Sequence, residues 1–482
     1  MNALLETLVT DLERGEAAPA GLEALGAPEP ELTAQRLAAV AAHPDLAATR
    51  TRWLPELLLS ARPGYGAQCL EELAIRYRAT RGRPLDLARM PALPRLLGSS
   101  DFLARLLLRH PHWSEELVGD PPGAPDDGPI EPDWTAIRIA KYKGLLRVAA
   151  RDVVGRPFEQ SPSELSRLAD RCLKAALSAA SRETGAPPPV LFALGKLGGE
   201  ELNFSSDVDL LFLYESSDDE PDTDRHALVA RLVQTFKKHL EVPSEDGFGY
   251  RVDLELRPEG RGGVIANPVD AALGYYESFG ADWERQMLIR LRHVAGPRPP
   301  AEAFERGIEP FVWRRSVGPE AIRSVRAMKR RIEDDRIEAG RDLEADLKEG
   351  PGGIRDIEFL VQAFQLFFGG RQPNLRTGNV LRGLEALRQL ALLPEAVTEA
   401  LRDAYLWLRR AEHCVQMVEE RQTQAFPREP GAQLGLARRM GYAESEGRRA
   451  REALLDDWTR VRTEVRRHFE NLVLESAKFD EP

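Results

Sequence analysis

The chain has 482 residues, 43% hydrophobic and 30% charged, which is ordinary for a folded protein; at roughly 150 residues per domain, about three domains are expected. Its 66 basic and 77 acidic side chains give a net charge of −11, which argues against a general nucleic-acid coat. No stretch reaches the roughly 18 apolar residues of a membrane span, and the first residues lack the basic and apolar regions of a signal peptide, so neither is expected.

The three cysteines, Cys69, Cys172 and Cys414, lie far apart in the sequence, and no CxxC pair occurs. This spacing excludes a disulfide framework and a zinc knuckle, because both need clustered or evenly paired cysteines. The cysteine usage fits a reducing compartment, and we expect a cytoplasmic protein.

The first 135 residues have apolar side chains at spacings of three and four, which predicts helices. One of these helices is predicted over 101–117. Proline and glycine cluster at 120–132, which indicates a linker. Two further helical patterns follow, at 134–154 and 162–180.

The pattern changes in the centre of the chain. Val190–Leu194 is a short apolar run between a proline stop and a glycine-rich loop at 195–203, which is typical of a buried strand. A second strand is predicted at 208–214, a helix at 225–241, and a strictly alternating strand at 250–256. The centre is therefore predicted to be mixed α/β.

From about residue 270 onward the chain returns to helical patterns. Ile354, Ile357, Val361, Phe364 and Phe368 form a stripe that would face a core. The sequence thus predicts a helical domain at 1–135, a mixed central domain at 136–295 and a helical bundle at 296–482.

The candidate chemistry lies in the central domain. Asp207 and Asp209 are two residues apart on a predicted strand, so both carboxylates project from one face. Adjacent carboxylates repel unless a cation lies between them, and hard oxygen ligands suit Mg²⁺ or Mn²⁺. A glycine loop that lets phosphate approach backbone N–H groups precedes them, and Asp253 offers a third carboxylate. The plainer alternative is that the two acids end a strand and face water.

Other catalytic patterns are absent from the sequence. Gly195–Lys196 is not a Walker A loop, because the spaced glycine and the hydroxyl residue after the lysine are missing. No GxGxxG opens a helix, and neither HExxH nor GxSxG occurs. A metal site beside a phosphate-binding loop instead favours phosphoryl or nucleotidyl transfer.

The segment GKLGGEELNFSSDVDLLF at 195–212 resembles the nucleotidyltransferase signature of the glutamine synthetase adenylyltransferase/adenylyl-removing enzyme family. The resemblance runs from about residue 95 to the end of the chain. It is carried by further segments in the family's order: LRVAARDVVG (146–155), FGYRVDLELRP (248–258), DWERQMLIRLRHVAG (282–296), DLKEGPGGIRDIEFLVQ (346–362) and AYLWLRRAEHCVQMVEERQTQAFP (404–427).

The resemblance implies an α+β, predominantly helical fold with a polymerase-β-like nucleotidyltransferase core on a mixed sheet, flanked by N-terminal helices and a C-terminal helical bundle. It also implies a set of functional residues. Asp207, Asp209 and Asp253 would be catalytic and hold two Mg²⁺ or Mn²⁺ ions. Nucleotide or phosphate groups would contact Gly198, Gly199, Ser206, Lys196, Arg257 and Lys348.

Some of these assignments leave alternatives open. Lys196 and Arg257 could equally form structural ion pairs, and the segment from Lys348 to Arg355 could be a plain glycine turn rather than a cover over the site. The family commonly has arginine at the position of Glu255, which shares the predicted strand face with Asp253. We expect Glu255 to pair with a nearby arginine, Arg251 or Arg257, and Asp253 to be the metal ligand.

Family members carry two such modules, one adding AMP to glutamine synthetase and one removing it, and this chain has one. The NFSSD spelling at 203–207 is similar to the N-terminal, removing half. The resemblance therefore implies phosphorolysis of adenylylated glutamine synthetase, with phosphate as substrate and ADP as product. The alternatives are forward transfer from ATP, or a non-catalytic module that binds glutamine synthetase or a PII-type protein. Neither nucleic acid nor membrane is an expected partner.

Overall fold

The computed structural model describes residues 3–14, 18–119, 122–123, 127–216, 222–245, 247–315, 320–340, 342–443 and 449–474. Part of the predicted linker at 120–132 lies outside these residues. None of the described helices combines the length and apolar character needed to cross a bilayer. Cys69, Cys172 and Cys414 are buried free thiols.

The contacts group the chain into two compact units, each assembled from separate stretches. The first unit contains residues 1–126, 143–161 and 409–460. The second contains residues 127–142, 162–408 and 461–482. The predicted division into three consecutive domains remains a prediction.

The N-terminal region is helical, as its apolar spacing predicts. Its α-helices are α1 (Ala3–Glu13), α2 (Pro19–Ala24), α3 (Pro30–Ala42), α4 (Arg50–Leu58), α5 (Pro63–Arg81), α6 (Leu93–Leu97) and α7 (Asp101–Arg109). The helix predicted over 101–117 is wrong in its second half, where a 3₁₀ helix spans Pro111–Leu117. Pro111 has no N–H for an α-helical hydrogen bond and disfavours the α conformation in the residue before it.

The helices predicted at 134–154, 162–180 and 225–241 are present with shifted ends, and α16 matches the stripe predicted from Ile354 to Phe368. The central and C-terminal helices are α8 (Trp134–Val153), α9 (Gln160–Thr184), α10 (Gly195–Gly198), α11 (Asp222–Glu241), α12 (Val269–Ser278), α13 (Asp282–Leu288), α14 (Arg298–Val312), α15 (Glu320–Glu338), α16 (Ile354–Phe368), α17 (Val380–Gln389), α18 (Glu395–Gln416), α19 (Pro430–Arg439) and α20 (Ala450–Phe469).

One mixed sheet forms the centre of the second unit. Its strands are β1 (Val190–Ala193), β2 (Val208–Tyr214), β3 (Val252–Asp253), β4 (Asn267–Pro268) and β5 (Arg292–Ala295). Strand β1 lies antiparallel between β2 and β5, while β3 and β4 pair in parallel with β2. The predominantly helical α+β class with a mixed-sheet core is confirmed.

The strand predicted over 250–256 is wrong except at Val252 and Asp253. The chain turns away directly after Asp253, whose Oδ1 accepts a hydrogen bond from the Glu255 backbone N–H at 2.7 Å. Pro258, which cannot donate to a strand ladder, follows shortly afterwards. Alternating hydrophobicity alone therefore overestimated the length of this strand.

Candidate functional site

Asp209 and Asp253 lie side by side across two parallel strands. Asp209 is the second residue of β2, Asp253 is the last residue of β3, and the two are paired in register. The neighbouring residues Val208 and Leu210 are buried, whereas both aspartates are partly exposed. The strand alternation that drives the valine and the leucine into the core therefore turns the two carboxylates toward the same open face.

Asp207 has a different partner. Arg251, which precedes β3, donates from Nε to Asp207 Oδ1 at 2.5 Å. The same guanidinium donates from Nη2 to the Ser205 carbonyl oxygen at 2.9 Å and to Ser205 Oγ at 3.2 Å. Arg251 thus holds the segment from Ser205 to Asp207, which precedes β2, and offsets the charge of Asp207.

The electrostatics single out Asp209. Burial raises the pKa of Asp209 to about 6, because a carboxylate loses solvation in the protein, and the nearby charge of Asp253 raises it further. Asp207 contributes to the rise, while Lys348 and Lys196 oppose it. Asp209 therefore stands in a place where negative charge exceeds positive charge and where a bound cation would be stabilised.

Gly195 sets the distance between the glycine loop and this acid. It follows β1 with φ of +53°, a conformation that L-residues other than glycine rarely adopt. A Cβ atom on Gly195 would lie 2.0 Å from Asp209 Oδ2. The absence of a side chain lets the loop backbone reach the carboxylate.

The predicted phosphate-contacting glycines approach other backbone segments. A Cβ on Gly198 would lie 1.9 Å from the Arg290 carbonyl oxygen, and one on Gly199 would lie 2.7 Å from the carbonyl oxygen of Gly378. These glycines therefore permit close backbone packing of the loop. Ser206 is half-buried, and its Oγ accepts a hydrogen bond from the Asn203 backbone N–H at 3.3 Å.

A buried ionic group fixes the far side of the same loop. Glu201 Oε1 accepts a hydrogen bond from the Val380 backbone N–H at 2.9 Å. Arg290 lies 3.6 Å from Glu201 and 3.2 Å from Glu358, and all three side chains are buried. Because buried charges are stable only when paired, these contacts hold the loop in one arrangement.

The charge of Lys348 acts on Asp209 from a turn that side-chain hydrogen bonds hold in place. Asp346 Oδ1 accepts the backbone N–H groups of Lys348 and Glu349 at 2.8 and 2.7 Å. Asp356, in the first turn of α16, accepts the Gly352 N–H at 2.8 Å. The segment is thus a glycine-containing turn and also brings a positive charge toward the acids.

The buried Lys329 ties this turn to the helices behind it. Its Nζ lies 2.7 Å from Asp356 Oδ1 and 3.2 Å from Glu333 Oε1, and it donates to the Glu349 carbonyl oxygen at 3.2 Å. Arg466 of α20 lies 3.4 Å from Glu333. This ionic core connects α15, α16 and α20 to the turn that carries Lys348.

Arg257 is occupied by the loop that follows β3. Its guanidinium donates to the carbonyl oxygens of Leu254 at 2.6 Å, Gly263 at 2.9 Å and Val264 at 2.9 Å. Most N–H groups of Arg257 are therefore engaged by carbonyl oxygens of its own loop. In this arrangement it closes the loop.

The partner predicted for Glu255 is wrong. Glu255 forms its ion pair with Arg261 Nη2 at 2.7 Å rather than with Arg251 or Arg257. The reason is the early end of β3: Glu255 lies in a turn and no longer shares a strand face with Asp253. Glu255 is exposed, and its carboxylate faces the loop around Arg261.

The fit to a divalent cation is good for two carboxylates. Asp209 and Asp253 supply the hard oxygen atoms that Mg²⁺ and Mn²⁺ prefer, and their mutual repulsion favours a cation between them. Among the described residues, no three His, Cys, Asp or Glu side chains are already gathered as a metal site. Arg251 holds Asp207 through Oδ1 and competes with a cation for the charge of this third carboxylate.

A cleft of about 720 Å³ opens on the side of the site that carries Asp207 and Asp253, and Asp209 is not part of its lining. Positively charged side chains also line it, among them Lys237 and Arg251. Lys237 and Glu241 of α11 hold the backbone of Val252 between them. The cleft has room for a phosphate-bearing group next to the acids.

The sequence patterns do not indicate the roles of two residues of this site. Gly195 is predicted only as part of the loop, although a glycine shortly after a strand and at the start of a helical turn is a signal for left-handed backbone. Arg251 is predicted only as a partner of Glu255. No local pattern indicates its bond to Asp207, because these residues are 44 positions apart and meet only through β2–β3 pairing.

Comparisons with known proteins agree with the sequence motifs. A family profile described as glutamate-ammonia ligase adenylyltransferase matches residues 90–307, and one described as GlnD PII-uridylyltransferase matches residues 326–473. The bifunctional glutamine synthetase adenylyltransferase/adenylyl-removing enzyme of Stenotrophomonas maltophilia (strain K279a) is 39% identical over 403 residues, which is 79% of this chain and 42% of that protein.

Two further relatives carry the same name. The protein of Thioalkalivibrio sulfidiphilus is 34% identical over 416 residues, covering 79% of this chain and 42% of the relative. That of Hahella chejuensis is 36% identical over 385 residues, covering 73% of this chain and 40% of the relative. The chain thus spans about two fifths of the length of these relatives, and it belongs to the glutamine synthetase adenylyltransferase/adenylyl-removing enzyme family.

Proposed function

We propose that the chain is a metal-dependent nucleotidyltransferase that removes AMP from adenylylated glutamine synthetase by phosphorolysis. The observation that carries the proposal is the pairing of Asp209 with Asp253 across β2 and β3, next to a glycine loop and two lysines. The names of the relatives support glutamine synthetase as the substrate protein. The NFSSD spelling at 203–207 supports the removing direction.

In this reaction an oxygen of inorganic phosphate attacks the phosphorus of the adenylyl-tyrosine diester. The new P–O bond forms as the bond to the tyrosine oxygen breaks, and that oxygen leaves with the electron pair and takes up a proton from solvent. ADP and unmodified tyrosine are the products. Phosphate is nucleophilic at neutral pH, so no strong general base is required.

The residues of the chain have separate roles in this proposal. Asp209 and Asp253 would hold Mg²⁺ or Mn²⁺, and Asp207, which Arg251 holds through Oδ1, would be the third ligand. The bound metal supplies charge stabilisation at the phosphoryl oxygens and at the departing oxygen. Lys196 and Lys348, whose charges already act on Asp209, would hold phosphate groups in line.

Forward transfer of AMP from ATP is the second candidate, because the same carboxylates and lysines serve either direction. The match of residues 326–473 to a PII-uridylyltransferase profile supports a regulatory role for that region and a PII-type protein as a further partner. The three buried free thiols and the proposed substrate support a cytoplasmic location.

The test is incubation of the purified chain with adenylylated glutamine synthetase, Mg²⁺ and phosphate, followed by chromatography of the nucleotides. ADP that appears only when phosphate is present is the expected result. AMP as the product would mean hydrolysis and refute phosphorolysis. Labelling of unmodified glutamine synthetase from ATP would establish forward transfer. The absence of any reaction in both assays would refute catalysis and favour a non-catalytic binding module.

A further inference from the structure

The first unit contains a cavity of about 550 Å³ whose walls are mainly apolar. It is lined by residues of the α2–α3 and α4–α5 loops, by the end of α18 and the residue Val418 after it, and by α19 with Pro427 before it. The apolar part of the lining includes Pro28, Ala61, Val415, Val418, Leu434 and Leu436. Cavities of roughly 300–1,000 Å³ with apolar walls and few polar groups are typical of small-molecule sites.

Arg439, the last residue of α19, lines this cavity although it is only 9% exposed. Its Nε donates to the Ser99 carbonyl oxygen at 2.7 Å. The terminal nitrogens Nη1 and Nη2 each lie 3.6 Å from the position that a Cβ on Gly435 would occupy, and Gly435 lines the same cavity. The fork of the guanidinium is therefore directed along the cavity wall.

No carboxylate within the described part of the chain pairs with Arg439. The second arginine of the lining, Arg62, is bound to Asp101 and packs over the Tyr65 ring at 4.4 Å. Burial lowers the pKa of Arg439 to about 10, and the charge of Arg62 acts in the same direction. A buried cation without an acidic partner is costly, so an anion in the cavity would relieve a real imbalance.

We infer that this cavity binds a small organic monocarboxylate with an apolar body. The carboxylate would accept two parallel hydrogen bonds from the Arg439 fork, which matches its planar geometry. The apolar body would cover the valine and leucine side chains of the wall. A phosphate fits less well, because only one unpaired positive charge is available and the apolar walls offer its remaining oxygens no donors.

Benzoate is a suitable probe, with benzamide as the neutral analogue of the same shape and chloride as the small inorganic anion. Isothermal titration of the intact chain with benzoate should show binding, and benzoate should raise the melting temperature. Benzamide and chloride at the same concentrations should do neither. If benzamide binds equally, or chloride displaces benzoate, the site recognises shape alone or holds an adventitious ion only, and the inference fails.

Two variants locate the binding. Arg439→Met keeps the length of the side chain, removes the charge and should weaken benzoate binding roughly ten- to a hundredfold. It should fold, since it removes an unpaired buried charge. Gly435→Leu fills the cavity without changing any charge and should also abolish binding.

Arg460→Met is the matched control, because this arginine is exposed, lies in the same unit and does not line the cavity. It removes the same charge and should leave benzoate affinity unchanged. Undiminished binding to Arg439→Met or to Gly435→Leu would overturn the inference. Equal loss in Arg460→Met would also overturn it, because the effect would then come from net charge rather than from the cavity.

Discussion

Replacing Asp209 with asparagine should stabilise the metal-free protein. The pKa of this carboxyl is raised from 3.8 to about 6 by burial and by Asp253, so its ionised form is unfavourable in the folded state. The shift is roughly two units, and one unit corresponds to about 1.4 kcal/mol. Above pH 6 the Asp209→Asn variant should therefore gain roughly 1–3 kcal/mol in free energy of unfolding.

The pH dependence of the free energy of unfolding tests the same cause. A group whose folded pKa is raised binds its proton more tightly in the folded state, so stability is lost as pH rises from about 4 through about 6. At pH 4.5 the Asp209 side chain of the parent protein is mostly protonated and the advantage of asparagine should shrink. Urea unfolding in EDTA, followed by tryptophan fluorescence at pH 4.5 and pH 8, measures both quantities.

Asp207→Asn is the matched contrast, because it removes an acid two residues away that already has a partner. Its carboxylate is bound to Arg251, and both side chains are about one-third exposed. Such a partly exposed pair contributes about 0–1 kcal/mol, so this variant should be unchanged or slightly less stable. Mg²⁺ should stabilise the parent protein more than Asp209→Asn.

A loss of stability in Asp209→Asn at pH 8 in EDTA would refute the predicted cost of the ionised carboxylate. An equal gain at pH 4.5 would also refute it, because the effect would then not arise from the ionised form. A gain in Asp207→Asn as large as that in Asp209→Asn would mean that the ion pair with Arg251 does not distinguish the two acids.

Three further predictions concern the same unit. Gly195→Ala should lower the free energy of unfolding by about 1–3 kcal/mol and weaken Mg²⁺ binding. Alanine is strained at φ +53°, and its Cβ would collide with the carboxylate of Asp209. An unchanged Mg²⁺ titration would contradict this prediction. Asp253→Asn should abolish most activity. Glu255→Gln should cost little activity, because Glu255 lies in a turn and pairs with Arg261. A loss of Mg²⁺ dependence in Glu255→Gln alone would make Glu255, and not Asp253, the metal ligand. Lys329→Met should lower the free energy of unfolding in urea by about 3–5 kcal/mol, because it leaves Asp356 buried without its main counter-charge. Adding Asp356→Leu to the same chain should recover much of this loss. Absence of recovery would show that packing, and not charge, is lost.

Much of the fold follows from local patterns in the sequence. The apolar spacing in α16 and the short apolar runs of β1 and β2 predict those elements, because each pattern depends only on which face of one element is buried. The same reasoning places Asp207 and Asp209 at the start of a strand, with Val208 and Leu210 in the core. The motifs also predicted the family that the comparisons support.

Other local patterns predict elements that are longer than those in the structure, because a local contact or a proline ends the element early. The alternation at 250–256 predicts a full strand, yet the chain leaves the sheet after Asp253, whose carboxylate accepts the Glu255 N–H. The apolar spacing over 101–117 ignores the proline at 111, which converts the second half to a 3₁₀ helix. In both places a local backbone constraint coincides with the end of the element.

The sequence by itself determined the elements, the family and the three candidate acids, because these follow from residue type and spacing. Only the tertiary structure decided how the acids differ. Parallel pairing of β2 with β3 sets Asp253 beside Asp209 and Arg251 against Asp207, so one acid is left with a repelling neighbour and another with a cation. Such differences depend on distances between segments far apart in the chain, and electrostatic energy at a few ångströms changes with every such distance.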